Sequence, residues 1–115
     1  MSNSFVGYDN IVSGLQPVDA ATTAKSTAWI DMKTAHSIAF LAQFGVVTAT
    51  SANNVTITVE ASTTNDSTTG VVVPFLYRHS GLVTANTWGA VTSCTSAGAV
   101  IAAATLTGTN IWVEA

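Results

Sequence analysis

The side chains best suited to metal or nucleophilic chemistry in this sequence are His36, His79 and Cys94. Zinc sites gather such ligands in short recurring spacings, and these three stand singly. No metal and no cofactor is expected. The ordinary roles are turn or strand-end histidines and a small core thiol that behaves as a hydrophobe. A nucleophilic triad would need a serine, one of the histidines and Asp31 or Asp66, yet no serine lies in a Gly-x-Ser-x-Gly turn. Cys94 sits in Thr92-Ser93-Cys94-Thr95, whose neighbours supply no positive charge to form a thiolate. Glycoside hydrolysis needs two converging carboxylates, for which Glu60 and Asp66 are a candidate pair. Glu60, however, fits the wet face of a strand, and Asp66 fits turn chemistry. The expectation is a protein that is not an enzyme.

Two glycosylation sequons, Asn54-Val55-Thr56 and Asn65-Asp66-Ser67, are a chance product of a chain rich in Thr and Ser. The aromatic residues Trp29, Trp88, Trp112, Tyr8 and Tyr77 offer large areas with one polar tip. They could anchor an interface, stack on sugars, or fill a core.

Charge narrows the choice. Charged residues make up 8% of the 115, and hydrophobic residues 48%; soluble domains usually carry about 25% charge. Thr, Ser, Asn and Ala must coat the surface instead, as in the run from Ala61 to Gly70. Such a coat favours permanent burial in an assembly, with a neutral secreted domain as the alternative. Lys25, Lys33 and Arg78 are the only basic residues, too few to neutralise a run of phosphates, so no nucleic-acid partner is expected. The first residues lack the pattern of a signal peptide, and no apolar run approaches the roughly 20 residues of a membrane span. Synthesis in the cytoplasm without a membrane partner is therefore expected. A single cysteine excludes an internal disulfide.

Residues 1–27 show no sustained period of 2 or 3.6 and carry Gly7, Gly14 and Pro17. They read as an extended arm. Its apolar residues Phe5, Val6, Tyr8, Ile11, Val12 and Leu15 are too many for a solvated tail and should lie along a surface of the same chain or a partner. A short helix near Asp19 to Ala24 is the alternative.

Residues 28–115 read as one β domain. Strands are expected at Trp29 to Met32 and at Ser37 to Phe44, where Ile38, Phe40, Ala42 and Phe44 share one face. Val55 to Ala61 alternates β-branched apolar residues with Thr and Glu, and Val71 to Arg78 is its expected hairpin partner. Pro74 donates no ladder hydrogen bond, which places that partner at an edge or a bulge. Further strands follow at Thr87 to Thr92, Gly98 to Leu106 and Asn110 to Glu114. Short strands at intervals of about ten residues mark a sandwich, jelly-roll-like or partly open barrel fold. The chain ends within a residue of its last strand, so an uncovered terminal edge, free to pair with another subunit, is expected.

The order Trp29-Ile30-Asp31-Met32, Val55 to Ala61, Pro74-Phe75-Leu76-Tyr77-Arg78, Thr87 to Thr92 and Ile111 to Ala115 resembles small virion proteins of tailed bacteriophages, most like those that decorate or cement the capsid. The resemblance covers residues 28 to 115. It implies a structural protein on the outer capsid surface of the virion, bridging neighbouring subunits of the major capsid protein, and self-association, with a trimer as one form. It also implies one or two strands beyond Val113, to be supplied by the arm or by a neighbour. The partner-binding residues expected are Phe5, Val6, Tyr8, Ile11, Val12, Leu15, Trp88 and Trp112. A tail or fibre component and a carbohydrate-binding module are the alternatives.

Overall fold

The computed structural model describes residues 14, 24–47, 53–65, 67–80 and 87–115. The chain separates into two compact units, Met1–Asp31 and Met32–Ala115. In the first unit the described stretch 24–31 contains neither helix nor strand. The strand expected at Trp29 to Met32 therefore does not form, and no described strand pairs with these residues. The six arm residues from Phe5 to Leu15, and the alternative helix near Asp19, lie outside the described residues.

The second unit is all β. Its strands are β1 (Ala39–Gln43), β2 (Asn54–Ile57), β3 (Val59–Ala61), β4 (Val71–Val73), β5 (Phe75–His79), β6 (Thr92–Cys94), β7 (Ala99–Ala102) and β8 (Asn110–Glu114). One turn of 3-10 helix, Ala103–Thr105, follows β7. Every pairing is antiparallel. A four-stranded sheet runs β1-β8-β5-β6, and two ribbons, β2-β7 and β3-β4, stand beside it.

Alternating burial explains how these pieces form one core. In β1, Phe40 and Ala42 point inward; in β2 and β3, Val55, Ile57 and Val59 do so, while Thr56, Thr58 and Glu60 stay exposed. These side chains pack around Phe75, Ala99, Leu106, Ile111 and Val113, with Leu106 and Ile111 fully buried. The sheet and the ribbons thus share a sandwich-like interior.

Two expectations about pairing change. Val71 to Arg78 is two strands rather than one: Val71, Val72 and Val73 pair with Ala61, Glu60 and Val59, but after Pro74 the chain crosses to the centre of the large sheet, between β8 and β6. Pro74 occupies the one-residue gap between them, where no ladder bond is needed. The terminal strand is also not an open edge. β8 lies between β1 and β5, which bond to it on both sides. Side-chain alternation assigns residues to faces but says nothing about strand order, so the last strand in sequence is free to be a central one. Any strand missing from this fold is not one needed to cover β8.

Thr109, just before β8, is the one buried polar side chain among the described residues. Its hydroxyl donates to the Leu106 carbonyl at 2.7 Å and lies 3.3 Å from His79 Nε2. Because a hydroxyl has a single hydrogen, the contact with His79 requires the imidazole to donate, which fixes its proton on Nε2. Thr109→Val removes this acceptor while preserving shape. The variant should lose about 1–3 kcal/mol, read as a lower urea midpoint with unchanged m.

Candidate functional site

Antiparallel register shows which side chains share the outer face of the large sheet. With Phe40 and Ala42 turned inward, Ala39, Leu41 and Gln43 face out. Opposite them on β8 lie Glu114, Trp112 and Asn110. On β5, Leu76 faces Glu114 and Arg78 faces Trp112, and Leu76 in turn faces Ser93 of β6. Ser80 then bridges to Trp88 and is tied to Asn110, its N–H donating to the Asn110 carbonyl at 2.9 Å and its side-chain Oγ accepting from the Asn110 N–H at 2.8 Å.

Trp88 and Trp112, both expected to bind a partner, therefore belong to one sheet face. Leu41 and Leu76, 53% and 45% exposed, join them, as does Trp88 at 45%. The formal charges in these rows are Arg78 and Glu114, on neighbouring strands. Glu114 Oε1 accepts from the Trp112 indole N–H at 2.6 Å, which holds the ring in one orientation. The face is thus an apolar surface with oriented aromatic area and little charge.

Leu41 and Leu76 are not among the partner-binding residues expected from the sequence, although the sequence carries a signal for them. In Ile38 to Phe44 and Phe75 to Tyr77, apolar residues occupy both phases of the strand. A strand solvated on one face alternates; one covered on both faces reads as a continuous apolar run.

A second feature lies between β5 and β7. The Ser80-Trp88 bridge and the Tyr77-Thr92 pair enclose three steps along β5 but four along the facing segment. One extra residue between Trp88 and Thr92 makes a β-bulge. Between this bulge and β7 lies an open groove of about 410 Å³, to which β5 contributes Tyr77 and His79, the bulge Ala90, and β7 Val100 to Ala102. None of its lining residues is Asp, Glu, Lys or Arg.

The residues considered for catalysis are dispersed. His36 is exposed in the segment before β1, and Glu60 is exposed on β3. Cys94 is half-buried, its thiol 3.4 Å from the Phe75 carbonyl it donates to. Asp66 lies outside the described residues. Among the described residues no three His, Cys, Asp or Glu side chains group closely enough to hold a metal ion. No described helix is long and apolar enough to cross a membrane. Asn54, in the first sequon, is an exposed residue of the paired strand β2.

The loop 62–70 is organised by its hydroxyls. Ser62 Oγ accepts the Thr64 N–H at 3.1 Å and lies 2.5 Å from Thr69 Oγ1, which also bonds Thr64 Oγ1. These short side chains bond one another and the backbone, which is how a charge-poor loop is held.

The fold defines an all-β, sandwich-like domain. No family model, no curated protein and no solved structure matches the chain.

Proposed function

We propose that this chain is a non-enzymatic structural protein of a virion, which decorates and cements a tailed-phage capsid by seating the outer face of its large sheet on neighbouring coat subunits. The observation that carries the proposal is the grouping of Leu41, Leu76, Trp88 and Trp112 on that face. Aromatic residues enriched at an apolar centre, with charge kept low, are the composition of a protein interface. A chain with 8% charged residues supports the same reading, since it holds few groups with which to form ion pairs. The resemblance carried by the order of sequence motifs from Trp29 to Ala115 supports the capsid as the setting.

Binding of the purified full-length chain to mature heads tests this directly. The wild-type chain should saturate heads at a fixed ratio and protect them from heat or chelation. Leu41→Asp/Leu76→Asp should lower the affinity at least tenfold and leave the far-UV circular dichroism unchanged, because both side chains are already exposed. Salt should matter little, since Debye screening weakens charge contacts and not apolar ones. Copurification with tails instead of heads would overturn the capsid assignment. Glycan binding lost in Trp88→Ala, with heads ignored, would replace it with carbohydrate recognition.

A further inference from the structure

Leu41, Trp112 and Arg78 stand in one row across β1, β8 and β5, because Leu41 pairs with Trp112 and Trp112 pairs with Arg78. Along β5, Arg78 is two residues from Leu76 on one side and two from Ser80, the bridge partner of Trp88, on the other. Strands lie about 4.8 Å apart, and residues two apart along a strand about 7 Å, so all four anchors stand within roughly 10 Å of Arg78 at the backbone. Arg78 is thus in the middle of the apolar face and not at its border. It is exposed, and among the described residues no hydrogen bond or ion pair engages its guanidinium. The carboxylate on the neighbouring strand is Glu114, diagonal to Arg78 across the β8-β5 ladder. Long side chains can span such a diagonal, yet Glu114 Oε1 takes the Trp112 indole N–H instead.

In water this guanidinium is well solvated, but under a docked protein it is not. A standard interface covers about 800 Å² of each partner, a patch of about 16 Å radius. The Arg78 stem is too short to lift its head to such a rim. Seating a protein on Leu41, Leu76, Trp88 and Trp112 therefore strips water from a positive charge ringed by apolar groups, and a buried charge left unpaired is strongly unfavourable. We propose that the coat surface seated on this face presents a carboxylate, from Asp or Glu, to Arg78, and that this central ion pair selects the partner and fixes its register. The inference rests on the reading of the outer face as the seat of a coat subunit. Arginine suits the task because its planar fork gives two parallel N–H bonds to the two oxygens of a carboxylate, which fixes orientation as well as charge. A backbone carbonyl would offer a dipole and no countercharge. The formal net charge of −3 gives the chain no long-range attraction toward an acidic surface. The pair therefore acts at contact, in the dissociation rate more than in the association rate. Enclosed by apolar neighbours, it is screened little by salt.

Binding of the full-length chain to mature heads, with both rates measured, tests the pair through the sign of one substitution. Arg78→Met keeps an apolar stem and removes the charge at an exposed position, so far-UV circular dichroism should be unchanged. With a carboxylate opposite, the variant leaves that group buried and unpaired, and affinity should fall at least about thirtyfold, mostly through faster dissociation. Without one, losing the guanidinium relieves a desolvation cost; Arg78→Met would then bind as tightly as wild type or more tightly, which overturns the inference. Arg78→Lys, which keeps the charge without the fork, should fall between the two. A second arm needs no variant: capping head carboxylates as amides with a carbodiimide and a small amine should weaken the wild-type chain and leave Arg78→Met no weaker than before. A wild-type chain indifferent to capping overturns the inference. Glu114→Gln, which retains an oxygen for the indole, should bind as wild type does; a loss equal to that of Arg78→Met would show that Glu114 turns to neutralise Arg78 on docking, and the partner carboxylate would be discarded. The two levels fail separately. A wild-type chain that ignores heads, or a Leu41→Asp/Leu76→Asp variant that binds them as tightly as wild type, removes the seat and this inference with it, whereas wild-type binding matched by Arg78→Met leaves the seat standing and overturns the ion pair alone.

Discussion

Gly98→Ala should destabilise the domain by roughly 2–5 kcal/mol, about as much as removing a large core side chain. Two separate effects combine. Gly98 has φ +82°, a left-handed conformation that costs an L-residue about 1–2 kcal/mol. A Cβ there would also stand 2.6 Å from the Ile57 carbonyl oxygen and 2.8 Å from Thr58 Cγ2. The carbonyl belongs to β2 exactly where its ladder with β7 begins at the Ile57-Ala99 pair, so it has no freedom to retreat. Overpacking against a fixed neighbour typically adds about 1–3 kcal/mol. Urea unfolding should show the midpoint falling by about 1–3 M at unchanged m. A midpoint within experimental error of wild type would mean that the β2-β7 ribbon is not part of the cooperative core.

Much of this fold was legible because side-chain alternation is a local property. Ile38, Phe40, Ala42 and Phe44 share the half-buried phase, as do Val55, Ile57 and Val59, and Asn110 to Glu114 forms a strand with the expected bounds. Strand order was not legible, because it depends on which partner buries the most surface across long separations. Thr58 and Pro74 show this well. Each marks a point where one apparent strand changes partner: Ile57 pairs with Ala99 but Val59 with Val73, and Val73 pairs with Val59 but Leu76 with Glu114 and Ser93. Nothing in a β-branched run announces such a change. Thr87 to Thr92 was also shortened, to a single bridge at Trp88 followed by a strand from Thr92, because the extra residue of the bulge interrupts the ladder.

The candidate interface was half legible for a related reason. Trp88 and Trp112 were recognised by size and polar tip, but only the register through Ser80 and Asn110 shows that they share a face. Leu41 and Leu76 were not legible as site residues because they occupy the phase of their strands that alternation assigns to solvent. The groove was invisible in sequence, since its walls come from β5, β7 and a bulge whose extra residue can be counted only against a partner strand.

Adjacent residues on β8 separate what holds the fold from what faces outward. Ile111 is fully buried in the core cluster, and its neighbour Trp112 points to the opposite face. Ile111→Ala removes apolar volume from a central strand bonded on both sides, where β1 and β5 prevent the backbone from collapsing into the cavity. The expected loss is about 2–5 kcal/mol, a large share of the roughly 5–15 kcal/mol that stabilises a domain. Trp112→Ala removes a ring from the outer face and its bond to Glu114, so its effect on the unfolding midpoint should be smaller, while head binding should fall at least tenfold. The informative comparison is the crossing of the two effects: Ile111→Ala should bind heads with near wild-type affinity at temperatures where it remains folded. Should Trp112→Ala destabilise the domain as much as Ile111→Ala while binding heads normally, the outer face would be a second packing surface of the fold rather than the seat for a coat subunit.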